Sequence, residues 1–69
     1  METVYVALRD DGVDVWRPVE AERMSRSVYR LAEAAVPDGE EWEFSPGSTV
    51  RCELRELSDR PVLVAVSAA

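Results

Sequence analysis

Apolar and polar residues alternate along most of the chain, and turn residues cut the alternation at short intervals. Period-two segments bounded by Gly, Pro, Asp and Ser are the mark of short β-strands. The first predicted strand, Thr3 to Arg9, puts Val4, Val6 and Leu8 on one face and Thr3, Tyr5 and Ala7 on the other. Asp10-Asp11-Gly12 follows as a hairpin turn, where Gly accepts the positive φ required. The second strand runs from Val13 to about Arg23, with Val13, Val15, Val19 and Ala21 inward. Arg17 falls on that inward phase and Pro18 removes a ladder donor. Trp16-Arg17-Pro18 is therefore expected to form a bulge or sharp bend that turns Arg17 outward. The alternative keeps Arg17 half-buried against an acid.

After a turn at Met24-Ser25-Arg26-Ser27, a third strand is expected from Val28 to about Ala32, with Tyr29 and Leu31 in phase. Leu31 to Val36 has helix propensity but is short and ends at Pro37, so it predicts one helical turn at most. Pro37-Asp38-Gly39 is a turn. Glu40 to Phe44 alternates acids with rings, Trp42 and Phe44 facing one way and Glu41 and Glu43 the other. Ser45-Pro46-Gly47-Ser48 suits a type II turn. Thr49 to Leu57 places Val50, Cys52 and Leu54 inward and Arg51, Glu53 and Arg55 outward. Ser58-Asp59-Arg60 turns the chain, Pro61 opens the last strand, and Val62, Val64 and Val66 form its inner face. The expected core is Val4, Val6, Leu8, Val15, Val19, Leu31, Val50, Cys52, Leu54, Val62, Val64 and Val66.

Five or six short antiparallel strands in 69 residues make one domain spanning residues 1–69, an all-β small barrel. The order (hairpin, bent second strand, short third strand, loop, final hairpin) is similar to barrels of the Src-homology-3 type. An oligonucleotide-binding-type barrel, which wants a helix between its third and fourth strands, and a curled meander are the alternatives. Two stretches, Asp14-Val15-Trp16-Arg17-Pro18-Val19-Glu20-Ala21 and Glu41-Trp42-Glu43-Phe44-Ser45-Pro46-Gly47-Ser48-Thr49-Val50-Arg51-Cys52-Glu53, resemble small uncharacterised bacterial proteins with a Trp-Arg-Pro-Val core. That resemblance implies no particular activity.

Composition narrows the chemistry. The chain has no His, Lys, Asn, Gln or Ile, and all eight basic residues are Arg. Without His there is no imidazole base and no Ser-His or Cys-His couple. Without Lys there is no Schiff base and no phosphate-loop lysine. One Cys without His gives no ordinary zinc site, and no cofactor or metal is expected. The acidic run from Asp10 to Asp14 lacks calcium-loop spacing and reads as a solvated turn. Cys52 reads as a small buried hydrophobe. Catalysis is not expected. The single Cys, the Met-Glu-Thr-Val start and the absence of a long apolar run point to a cytoplasmic protein with no membrane attachment.

The net charge of −6 disfavours nucleic acid, whose phosphates dominate affinity. An RNA- or DNA-binding barrel using Arg51, Arg55 and Arg60 is the alternative function. The leading expectation is a small acidic interaction module that binds a protein partner or self-associates. Acids flanking a ring suit a cation, and Glu40, Glu41 and Glu43 flank Trp42. Tyr5, Trp16 and Tyr29 could extend the aromatic surface. The candidate binding residues are Tyr5, Trp16, Arg17, Glu41 and Glu43. Trp42, in phase with Phe44, is expected to be largely buried. Trp16, in phase with Asp14 and Glu20, is expected to be partly exposed.

Overall fold

The computed structural model describes residues 1–9, 15–57 and 59–69. The expected turn at Asp10-Asp11-Gly12 and the expected strand start at Val13 lie outside the described residues. Among the described residues five strands form in chain order: β1 Glu2–Ala7, β2 Trp16–Ser25, β3 Val28–Leu31, β4 Thr49–Leu57 and β5 Arg60–Ala68. Sequential neighbours pair antiparallel, and β1 meets β5 to close the sheet into a barrel. A meander of five strands brings its first and last strands together pointing the same way, so the closing pair is parallel. It is also brief: Val4 pairs Leu63 and Tyr5 pairs Val64. The expected all-β barrel is therefore present. The helix wanted by the oligonucleotide-binding alternative is not, since 32–36 is irregular.

The inward faces of β1 to β4 follow the alternation. Val4, Val6, Val19, Ala21, Tyr29, Leu31, Val50, Cys52 and Ala65 form one buried cluster, with Trp42, Phe44 and Leu63 packed against it. Tyr29 is core rather than surface, because its partner Val50 lies on the inner face. Val15 is only half-buried.

Four local expectations are corrected. First, β2 keeps unbroken register with β1 from Ala21 to Trp16. Pairing with β3 begins only at Ala21, so Pro18 has a strand on one edge alone and its missing N–H forces no bulge. The register shift in β2 lies instead between Arg23 and Ser25. Arg17 accordingly stays on the inward phase, opposite Val6.

Second, the inner face of β5 is the other phase. Cys52 opposes Ala65 and Leu54 opposes Leu63, while Val64 opposes the exposed Glu53. Directly opposed residues share a face, so Val64 is buried on the outer side and Val62 and Val66 are half-buried. A run of Val62-Leu63-Val64-Ala65-Val66 is apolar on both phases, and only its partners choose between them.

Third, Glu40 to Phe44, whose alternation allowed a sixth strand, forms none, although Trp42 and Phe44 pack on the core and Glu41 and Glu43 are exposed as expected. Trp42 makes an isolated antiparallel bridge to Leu8. Fourth, Leu54 is exposed. It keeps the inward phase, but the β4–β5 hairpin runs past the last β3 partner, Arg51.

Candidate functional site

The long connection from β3 to β4 shapes the site. Two turns of the kind its sequence suggested hold it. Glu40 N–H donates to the Pro37 carbonyl at 3.1 Å, with Gly39 at φ +85°. Ser48 N–H donates to the Ser45 carbonyl at 3.2 Å, with Gly47 at φ +82°. Both glycines take the third turn position, where a positive φ suits Gly. The first turn delivers Glu40 to Arg17.

Arg17 Nε donates to Glu40 Oε1 at 3.1 Å, and Nη2 donates to Oε2. This is a bidentate fork, the strongest geometry for such a pair. The Trp42 ring N–H donates to Glu40 Oε1 at 3.0 Å. Glu40 thus joins β2 to the loop and fixes the Trp42 ring over the core. The Arg17 hydrogen bonds, then that of Trp42, hold the Glu40 carboxyl below its ordinary range; Glu40 in turn raises the Arg17 guanidinium. Trp42 is half-buried rather than largely buried, because it approaches the core from a loop. Beside this brace, Arg17, Pro18 and Trp42 face Ala34, Ala35 and Pro37 across a cleft of about 360 Å³.

The loop also adds a rung to β1. Glu43 N–H donates to the Ala7 carbonyl at 2.9 Å and Arg9 N–H to the Glu41 carbonyl at 2.7 Å. On the other edge of β1, Leu8 N–H reaches the Val15 carbonyl at 3.0 Å. Trp42 opposes the buried Leu8, so alternation turns Glu41 and Glu43 outward. Arg9 and Glu41 lie 3.8 Å apart at the surface. Ala7 is paired with Trp16, and Tyr5 with Pro18 and Val64.

The outer face of β1 therefore carries Tyr5, Trp16, Glu41 and Glu43 together. Trp16 is half-buried, as expected of a partly exposed ring, and both acids are exposed. Arg17 does not join them. It points to the opposite side, where it braces the loop. Tyr29 lies in the core. The sequence reading missed Glu40 as the partner of Arg17; the signal was the Pro37-Asp38-Gly39 turn immediately before it.

The remaining arginines are interrupted by acids. Arg55 donates to Glu53 at 2.9 Å and Arg30 to Glu22 at 2.9 Å. Arg23 donates to the Ser25 and Arg26 carbonyls at the β2–β3 turn. Cys52 is buried, and burial pushes its thiol up to about 11. Among the described residues, no group of three or more acids and thiols is arranged to hold a metal ion, and no helix is long and apolar enough to cross a membrane.

No family model, curated protein or solved structure matches the chain.

Proposed function

We propose that the protein is a small acidic interaction module, without catalytic activity, whose outer β1 face binds a basic segment of a protein partner. One observation carries this reading: strand pairing gathers the half-buried rings of Tyr5 and Trp16 and the exposed Glu41 and Glu43 onto one outer face, although they are spread over the chain from 5 to 43. Rings beside carboxylates attract guanidinium and ammonium groups by charge and by the ring quadrupole. The net charge of −6 steers such a partner toward the face. Arg17, Glu40 and Trp42 serve as the brace that holds the acidic loop beside β1.

The composition favours a cytoplasmic setting. The nucleic-acid reading has less support, since Glu53 and Glu56 break up the stripe of Arg51, Arg55 and Arg60, and Arg55 is held by Glu53.

An arginine-rich peptide titrated into labelled protein tests the proposal. The Trp16 ring N–H and the Glu41 and Glu43 amides are expected to shift, with an affinity that falls as salt rises. Glu41→Lys/Glu43→Lys and Trp16→Ala should each weaken binding. Shifts confined to another face, or none, would overturn it.

A further inference from the structure

Leu54 is 70% exposed although it shares the inward phase with the buried Cys52. Its strand explains the exposure. β3 pairs with β4 only from Thr49 to Arg51, and Cys52 N–H makes one further bond to the Ser27 carbonyl, at 2.8 Å. β5 covers the other edge of β4 out to Leu57. From Glu53 to Glu56, therefore, the β3-side edge of β4 has no strand partner among the described residues. Alternate residues direct their backbone groups to the same edge of a strand. The N–H of Cys52 points toward Ser27, so those of Leu54 and Glu56 point out along this open edge.

We propose that the open edge pairs antiparallel with the same edge of a second copy, about a two-fold axis through Leu54. Leu54 then lies opposite Leu54 of the second copy, and each Glu53 lies opposite the other chain's Arg55; the pairing ends there, because Cys52, the next residue facing this edge, is already bonded to Ser27. Opposite charges facing each other across antiparallel strands are favourable, and like charges are not. Registers centred on Glu53, on Arg55 or on Glu56 set like charges against each other at the axis. The register centred on Leu54 matches both charges and removes the exposed leucine from water. Within one chain Arg55 already donates to Glu53 at 2.9 Å, so the two pairs merge into a ring of four charges. Charged edges ordinarily resist strand addition; here the order Glu-Leu-Arg rejects the wrong registers and accepts one.

The contact is isologous and small. It falls below the roughly 1,000 Å² of a lasting complex, so association depends on concentration. It uses the β4 edge and not the outer β1 face, so it stands or falls independently of peptide binding there.

Sedimentation velocity over a concentration series provides the test. The wild type should shift from monomer toward dimer as concentration rises. Glu53→Arg alone and Arg55→Glu alone should stay monomeric, while an equimolar mixture of the two should regain the dimer, because each variant then offers the charge the other needs. Both positions are exposed, and unchanged thermal melts would show that the variants fold. A second measurement fixes the register. Leu54→Cys in a Cys52→Ala background should cross-link on mild oxidation, since opposed bonded residues sit about 5.5 Å apart at Cα, within disulfide reach. A wild type that remains monomeric throughout, single variants that associate like the wild type, or a mixture that stays monomeric would each overturn the proposal.

Discussion

Arg17 stands on the inward phase of a strand, between Val15 and Val19, and a charge there needs a partner. Glu40 supplies it from 23 positions away. The pairing predicts a pH dependence. The carboxyl of Glu40 is held below its ordinary value of 4.5 in the folded chain by its hydrogen bonds to Arg17 and Trp42. Its contribution is thus fully present above that ordinary value and is lost as pH falls through the lower folded one. Thermal melts should show Glu40→Gln less stable than wild type at neutral pH, with the gap closing in acid. A constant gap would mean that the ion pair is not the source. The two tryptophans should separate in the same way. Trp42 packs on the core and its N–H is held, so Trp42→Ala should cost about 3 kcal/mol. Trp16 lies on the outer face, and Trp16→Ala should cost about 1 kcal/mol or less. Equal losses in denaturant melts would place Trp16 in the core.

Among the elements, β4 was legible in its limits: the expected and observed ones, Thr49 and Leu57, coincide. A clean alternation of Val50 and Cys52 with Arg51 and Glu53 sets both its length and its face. β5 was legible as a strand but not in its face, because five consecutive apolar residues carry no period of two. The hairpin joining them has a two-residue loop, since Leu57 opposes Arg60. Asp59 in that loop has φ +66°, a region that costs a residue with a Cβ about 1 kcal/mol. Asp59→Gly should therefore raise the melting temperature by about 5 °C, and Asp59→Val should lower it. If both lowered it, the Asp59 side chain would be holding the turn by a bond of its own.

For the molecule as a whole, the seam between β1 and β5 is the short one. Among the described residues only two pairs close it, and beyond Val64 the loop at Trp42, not β5, lies along β1. The β4–β5 hairpin, by contrast, pairs from Val50 to Leu57 with one register shift, between Arg51 and Cys52. Local opening follows the number of bonds and contacts that must be broken. Hydrogen exchange should therefore be slowest for amides of β4 and β5 that bond each other. It should be faster for Arg9 and Glu43, which bond across the loop. Trp42→Ala should speed exchange at those two amides before it affects the hairpin. Equal protection throughout would show that the barrel opens only as a unit.

What the chain determines by itself is local. Alternation sets the strands and the faces of β1 to β4, Pro and Gly place the turns at 37–40 and 45–48, and the missing residue types restrict the chemistry. The tertiary structure decided what depends on partners distant in sequence. It chose the inner phase of β5 through β4, because a strand apolar on both sides takes its face from its neighbour. It sent Arg17 to Glu40, and it moved Tyr29 from the expected aromatic surface into the core. It left Leu54 in water because β3 is too short to cover the end of β4. It also gathered Tyr5, Trp16, Glu41 and Glu43 on one face, since three separate segments meet only when β1 is paired on both edges.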